Sequence, residues 1–536
     1  MNEEGQSLAP GEVGVDRLIL HSFDKLRTGP ASFIVCFALG AATVLGFSPF
    51  NLFPLPVLTL VALFWLCRVA ATPRRAALAG FGFGLGLFCV GLAWLYISLH
   101  DFGGMPAPIA VLAVVLLCAC MALYPAAAGW LATRLGATPL RFAVAAAAGW
   151  TIMEWLRSWV FTGFPWLNIG YSQVPWSPLA GFAPIGGVFA VSFAVALIAA
   201  LIAVLPSLKK SSPRGAIAVV SLLAVALLAA WALKGIAFTA PAGAPVSVSL
   251  LQGNIPQEIK FVPGRIEQQL QTYLDLAAAS KSRLIIMPES SIPLLKSQAP
   301  PEYLDLLRQR ATALGGDMLV GVFDDADEGR EIYNSVMSVG VSPTQVYRKV
   351  HLVPFGEFIP LKWLVGWVYD TMLNIPLSDQ TPGARFQEPL KVAGERVAVD
   401  ICYEDAFGEE VIRQLPEATL LVNVSNDAWF GERIAPWQHT QIAQMRALET
   451  GRYMLRATNT GVTSIIDESG RLVSHLPQLK TDALNGTAQG RTGATPFVLA
   501  GNGPIVGLCI VVLAALWLAK RRSPDSPFGD KSRDAT

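Results

Sequence analysis

Residues 398–407 read AVDICYEDAF. An apolar run ends at Ile401, and Cys402 follows it among acidic residues: Asp400, Glu404 and Asp405. The chain has seven cysteines, and the other six (Cys36, Cys67, Cys89, Cys118, Cys120 and Cys509) all lie in strongly apolar segments. The run RVAVDICYE has the composition of a short β-strand that stops at polar residues. In open α/β sheets the carboxyl ends of strands are where reacting groups collect, so Cys402 is a candidate nucleophile. The competing reading is an ordinary core cysteine, because cysteine is among the most buried residue types.

The surroundings of this stretch fix the class of the molecule. Of 536 residues only 15% are charged, and the mean hydropathy is +0.47, which points to a membrane protein. The apolar residues concentrate before about residue 235 and again in 503–519, whereas 241–500 has globular composition. A formal net charge of +1 gives no sign of nucleic-acid binding. The mixed polar start of the chain shows no cleavable signal peptide, so the first span is expected to act as its own insertion signal.

Eight segments approach the ~20 apolar residues needed to cross a bilayer: 31–48, 52–68, 76–98, 107–132, 140–160, 180–205, 215–234 and 503–519. The second is short, and the fifth contains Glu154 and Arg157 at a helical spacing that lets each neutralise the other. Basic residues fall in alternate connections: Lys25 and Arg27, then Arg68, Arg74 and Arg75, then Arg134 and Arg141, then Lys209, Lys210 and Arg214, and finally Lys520, Arg521 and Arg522. The positive-inside rule makes these connections cytoplasmic. Segment 1–30 and tail 520–536 are then cytoplasmic, 31–235 is a seven-helix bundle, 503–519 is the last span, and 241–500 lies across the membrane, in the periplasm of a bacterium. GFGFGLG at 80–86 sits inside a span with no strand before it and no Lys-Ser/Thr after it, so it is read as close helix packing rather than a phosphate loop. The five histidines are scattered and no His/Cys pairing has zinc spacing, so neither metal nor cofactor is expected.

Within 241–500, VSVSLLQGNI, RLIIMPES, DMLVGVF, RVAVDICYE, TLLVNVSND and YMLRATNTG read as strands, and RIEQQLQTYLDLAAAS, EYLDLLRQRATAL and TQIAQMRALETG as helices. Strand ends and the loops beyond them carry Glu289, then Lys349 and Glu357 in VYRKVHLVPFGEF, then Cys402 and Glu404. A carboxylate, an amine and a thiol suffice for covalent acyl transfer: the first takes the thiol proton, the second stabilises an oxyanion. Taken singly, Glu289 also reads as a helix cap and Lys349 as a solvated charge.

These residues resemble the nitrilase superfamily in the order Glu, Lys, Cys. Together with FGGMP, TGFPWL, GYSQ, QGNIPQ, PFGEF, ICYE and SNDAWFG…PWQH, set among eight apolar segments, the chain resembles the apolipoprotein N-acyltransferase family over nearly its whole length. Family members often carry Trp before the PES proline, where this chain has Met287.

The resemblance implies a multi-span α-helical membrane bundle carrying a nitrilase-like αββα sandwich in the bacterial inner membrane. It implies a ping-pong reaction in which Cys402 takes an acyl chain from a phospholipid, typically the sn-1 chain of phosphatidylethanolamine. The α-amine of a lipoprotein's N-terminal S-diacylglyceryl cysteine then takes the chain from the thioester. By the same resemblance Glu289 is the general base and Lys349 the oxyanion partner. Glu357 and Glu404 orient or assist, the Tyr403 N–H completes the oxyanion hole, and Met287 lies beside the base. Trp429 lines a lid near the thiol, with an ordinary buried aromatic as the competing reading. Two other functions fit parts of the sequence: a membrane-tethered amidase, which shares the triad but needs only one span, and a lipoprotein-binding protein, which needs no triad.

Overall fold

The computed structural model describes residues 30–326, 330–360, 362–363 and 379–522. The expected cytoplasmic N-terminal segment up to residue 29, with Lys25 and Arg27, lies outside the described residues, as does the tail from 523 onward. Helices occupy each of the apolar segments: α1 (Pro30–Thr43), α2 (Pro54–Val69), α3 (Pro73–Gly91), α4 (Ala107–Leu135), α5 (Pro139–Arg157), α6 (Ala183–Ser211) and α7 (Pro213–Leu233), with a last helix at Gly503–Arg521. Those that begin at the basic connections start alike. Thr72, Thr138 and Ser212 each cap a backbone N–H of the first turn, and a proline follows where no N–H is needed.

Among the described residues four helices are long and apolar enough to cross a membrane: α4, the stretch Pro178–Ser211 that contains α6, α7 and Gly503–Arg521. A fifth is added if α3 and the following Leu95–Phe102, bent by 60°, form one span. The first two helices are shorter, and α5 carries charge, so length and composition alone do not yield the eight spans expected.

The glycine-rich stretch packs as its spacing suggests. A Cβ at Gly80 would come within 2.3 Å of the Pro125 carbonyl oxygen on α4, and one at Gly86 within 2.0 Å of the Phe37 carbonyl oxygen on α1. Alternate glycines therefore let α3 touch the backbones of two neighbours at once.

Glu154 and Arg157 feel each other's charge as expected, but they compensate without a direct ion pair. Arg157 donates to the carbonyls of Phe164 and Trp166, both at 2.6 Å, and to Asn168 Oδ1 at 2.5 Å. Glu154 Oε1 accepts from Trp150 Nε1 at 2.9 Å and from the Ile169 N–H at 2.8 Å. Both charges hold the connection after α5, which folds back onto the helix and supplies more hydrogen bonds than one ion pair would.

The rest of the chain forms a two-sheet sandwich. Its first sheet contains β1 (Val246–Gln252), β2 (Leu284–Ile286), β3 (Asp317–Ala326), β4 (Glu331–Gly340) and β5 (Val346–Arg348). The second contains β6 (Leu390–Val392), β7 (Glu395–Ile401), β8 (Leu420–Ser425), β9 (Met454–Thr458), β10 (Ser464–Ile466) and β11 (Leu472–His475). A further strand, β12 (Asp482–Ala488), returns to pair antiparallel with β1. Each sheet has a parallel heart, β1–β2–β3 in one and β7–β8–β9 in the other. Val248, Leu250, Leu284 and Ile286 of the first sheet meet Val397, Val399, Val422 and Val424 of the second in one buried cluster. Alternate residues of β2 face outward, where Ile285 and Met287 pack with Tyr273 and Leu307 of helices α8 (Ile266–Ala279) and α9 (Pro301–Ala313).

Helix α10 (Ala435–Thr450) covers the second sheet, and nearly all of its residues are buried although many are polar. One side packs on the sheet through Ala443 and Ala447. The other packs into the membrane bundle through Ile442, Met445 and Leu448. Its polar side chains satisfy bundle groups. Gln438 Oε1 accepts from the Trp166 indole at 2.7 Å and the Trp94 indole at 3.3 Å. Gln441 Oε1 accepts from the Ser48 N–H at 3.1 Å. Glu449 Oε1 accepts from the Val188 N–H at 2.5 Å, just past the break in α6 at Gly186–Gly187. The chain enters and leaves the sandwich side by side, because Thr239–Pro241 and Arg491–Gly493 pair antiparallel. The final helix, α11 (Gly503–Arg521), then packs on α5 through Val506 and Cys509.

Gln438→Leu keeps the volume but leaves the buried Trp166 N–H without its acceptor. It is expected to cost roughly 1–3 kcal/mol, read as a lower thermal midpoint of the detergent-solubilised protein.

Candidate active site

Cys402 begins a tight turn straight off β7, with φ +55°, a left-handed conformation that costs energy for a residue with a Cβ. The turn lifts the thiol out of the strand at the carboxyl end of the parallel core, so the cysteine is half-buried rather than core. The Cys402 carbonyl is held by Asn423 Nδ2 and His439 Nε2, both at 3.1 Å. Behind that carbonyl, Arg456 bridges Asp427 at 2.9 Å and Asp405 at 3.3 Å, and His439 faces Asp405 at 2.9 Å, all fully buried. These paired charges fix the strained turn from beneath.

Glu289 stands three residues past β2. Its Oε1 accepts from Asn334 Nδ2 at 2.6 Å, and its Oε2 accepts from the Asn426 backbone N–H, at the end of β8, at 2.8 Å. Lys349 follows β5 and is 1% exposed. Its Nζ lies 2.8 Å from Glu357 Oε1 and 3.6 Å from Glu289 Oε1. Burial works against its charge, but the carboxylates of Glu357 and Glu289 outweigh burial and hold the ammonium above the ordinary lysine value. Glu357 also accepts from Asn334 at 3.1 Å and from the Val353 N–H at 2.8 Å, so one asparagine amide spans both acids.

Burial pushes the Cys402 thiol well above its ordinary value. Glu289 adds to that, while Lys349 and the Ser425 hydroxyl pull the other way. The resting group is therefore a protonated thiol, and Glu289 is the carboxylate whose charge it feels most.

Glu404 is 2% exposed and bonds to neither Lys349 nor Cys402. Its Oε1 accepts from the N–H groups of Val350 at 2.6 Å and His351 at 3.0 Å, and its Oε2 from the N–H of Ile401 at 2.7 Å. Burial pushes its carboxyl up to about 7, against the pull of Lys349 and these donors. Tyr403 donates from its hydroxyl to the Gly163 carbonyl at 3.0 Å and so fastens the nucleophile turn to the connection after α5. Trp429 is half-buried; its ring meets Phe102 at 6.0 Å and its carbonyl accepts from Ser98 Oγ at 2.7 Å, which sets it against the bent end of the third span. Met287 is fully buried in the helix-facing core and presents no surface to an acyl chain.

The structure thus brings Glu289, Lys349, Glu357 and Cys402 together and gives Glu404 and Tyr403 anchoring contacts. Sequence reasoning missed Asn334, Asn426, Lys260 and the Asp405–His439–Arg456–Asp427 cluster. Of these, Lys260 closely follows QGNIPQ, and Asp427 and His439 lie in SNDAWFG…PWQH, so the motifs held the signal. Among the described residues no cluster of three or more His, Cys, Asp or Glu side chains is placed to hold a metal ion.

A thiol on a strained turn, a buried carboxylate and a paired lysine stand together in a two-sheet domain of carbon–nitrogen hydrolase type, here seated on a bundle of apolar helices. Residues 247–496 match the carbon-nitrogen hydrolase family, and residues 39–201 match the apolipoprotein N-acyltransferase N-terminal domain. The apolipoprotein N-acyltransferase of Nitrosomonas europaea is 53% identical over 91% of this chain and 97% of its own length. Those of Chromobacterium violaceum and Methylococcus capsulatus are 45% and 42% identical, each over 90% of this chain and over 93% and 95% of their own lengths. The chain belongs to the apolipoprotein N-acyltransferase family.

Glu404→Ala removes the acceptor of three backbone N–H groups and of the buried Tyr347 hydroxyl. It is expected to lower stability by about 3 kcal/mol or more, measured by thermal unfolding, with greater loss than Trp429→Ala.

Proposed function

We propose that this chain N-acylates apolipoproteins, taking the acyl chain from a phospholipid through a thioester on Cys402. The observation that carries this reading is the mounting of the site: a thiol facing a buried base and a paired lysine, on a domain whose helix α10 is buried in the membrane bundle. A water-soluble amide would need no such bundle. A substrate with acyl chains does, since each exposed CH₂ costs ~0.8 kcal/mol.

In the first half-reaction Glu289 takes the Cys402 proton as Sγ attacks the ester carbonyl. The oxyanion that forms is stabilised by the Lys349 ammonium and the Tyr403 backbone N–H. The C–S bond is kept and the C–O bond breaks, and Glu289 returns the proton to the departing glycerol oxygen, releasing lysophospholipid. In the second, the α-amine of the S-diacylglyceryl cysteine attacks the thioester and gives its proton to Glu289. The C–N bond forms, the C–S bond breaks, and the thiol recovers its proton. Glu357 keeps Lys349 charged and directed, and Glu404 orients the turn and the lysine loop. Trp429, against Phe102, closes the side facing the bilayer.

The same reading sets the topology. Eight spans, with α1, α2 and α5 crossing as part of the bundle and α3 crossing as a bent pair, put both chain ends in the cytoplasm of a bacterial inner membrane. The sandwich, 241–500, then faces the periplasm, where the donor is expected to be phosphatidylethanolamine of the outer leaflet. A reporter fused in the sandwich that works only in the cytoplasm would overturn this.

Mass spectrometry of the purified protein tests the chemistry. An acyl mass is expected on the Cys402 peptide, released by neutral hydroxylamine and absent from Cys402→Ala. Cys402→Ser should lose orders of magnitude in turnover, because a hydroxyl is much harder to deprotonate. Glu289→Gln should fold but form no thioester, since an amide does not take the thiol proton. Acyl transfer to a lipopeptide by Cys402→Ala would end the covalent mechanism.

A further inference from the structure

The loop after β1 carries a second lysine into the site. Residues 254–260 are tied down at both ends: the Ile255 N–H donates to Asn459 Oδ1 at 2.9 Å, and the Lys260 N–H closes a turn onto the Gln257 carbonyl at 3.3 Å. The turn drives the Lys260 side chain inward until it is 2% exposed. There its Nζ donates to the backbone carbonyl of Glu289 at 3.2 Å. Neighbouring Gln257 accepts from Asn426 Nδ2 at 2.9 Å, and the Asn426 N–H binds Glu289 Oε2. The loop thus grips the base from two directions.

Lys260 differs from the other buried cations of the sandwich. Lys349 has Glu357 and Glu289, Arg446 has Glu449, and Arg456 has Asp427 and Asp405. Arg452 spreads its charge over the Ala418 and Gly493 carbonyls. Among the described residues Lys260 has no carboxylate within ion-pair distance. An unpaired buried ammonium is costly unless the charge of its surroundings calls for it. The surroundings do: Glu289 and Glu357 face the single cation Lys349. Without Lys260 this group is one charge negative at rest. It is still one negative when Glu289 has taken the thiol proton and the negative charge sits on sulfur or the oxyanion.

We propose that Lys260 is a positioning residue of the acyl-transfer site, whose ammonium holds the Glu289 backbone in place and balances the site's charge as Cys402 ionises. This rests on the thioester reading above. It acts through Glu289 and through its field, not by touching substrate. The charged groups facing it are Glu289 and Cys402, with Lys349 and Glu357 beyond Glu289. Burial pulls the Lys260 ammonium down to about 8, while Glu289 and Cys402 pull it up. Its charge is therefore present below about pH 8 and lost above.

The test is acyl-enzyme formation by the full-length protein in mixed micelles with phosphatidylethanolamine, followed by mass spectrometry from pH 6 to 10 (about the range over which the group titrates). Wild type should acylate Cys402 with a rate that declines above about pH 8. Lys260→Met should be slower by about 10²-fold, with the phospholipid KM nearly unchanged and without that decline. Lys260→Arg, charged throughout, should recover most of the rate and also lack the decline. A Lys260→Met protein with the wild-type rate and profile overturns the proposal, as does a Lys260→Arg protein whose rate falls at the wild-type pH. If Lys260→Met does not fold, the Lys260→Arg profile alone decides. Wild type that forms no adduct overturns the thioester reading instead.

Discussion

One carboxylate fixes the distance between the two halves of the site. Glu404 sits in the nucleophile turn of the second sheet, yet two of its acceptor bonds go to the N–H groups directly after Lys349, on the first. Another returns to Ile401, the last residue before Cys402, and the Tyr347 hydroxyl of β5 donates to the same carboxylate. The thiol and the lysine come from different sheets whose buried interface is mainly aliphatic, and aliphatic packing tolerates small slides. Hydrogen bonds to a carboxylate do not. Glu404 therefore ties the turn that carries Cys402 to the loop that carries Lys349.

The same logic runs one layer further out. Asn334 on β4 spans Glu289 and Glu357, Asn426 at the end of β8 crosses to Glu289, and Arg456 locks the turn from beneath. Glu289 and the Cys402 turn are held by amides and paired charges from strands other than their own. These bonds hold the left-handed cysteine, its thiol protonated, beside the Glu289 carboxylate.

The sequence made the reacting residues legible because each lies at the end of a β-rich run. Cys402 after RVAVDI and Glu289 after LIIMP needed only the alternation of apolar residues and a polar stop. The helices of the bundle were legible in the same way from hydropathy. What sequence periodicity could not supply was the partner of each polar group. Glu154 and Arg157 are correctly spaced to pair, yet both turn to a folded-back connection whose path no local pattern encodes. TQIAQMRALETG reads as a helix and is one, but its period does not reveal that its glutamines and charges meet a second buried surface. Met287 stands beside the base in sequence and behind the sheet in space, because alternation in β2 turns it to the helix side. Asn334 lies in a strand, EIYNSVMSVG, that was not singled out.

The pairing of Thr239–Pro241 with Arg491–Gly493 bears on how the molecule is assembled. Helix α11 follows the whole sandwich in the chain, so seating it against α5 closes a very long loop. Once the ribbon zips, that loop is closed already: the ends of α7 and α11 are connected through a hydrogen-bonded hairpin rather than through the full length of chain. The entropy of closure is spent inside the folding of the sandwich, where it is recovered by a buried core. The bundle then gains its last helix as a near neighbour, and its completion becomes conditional on a folded sandwich.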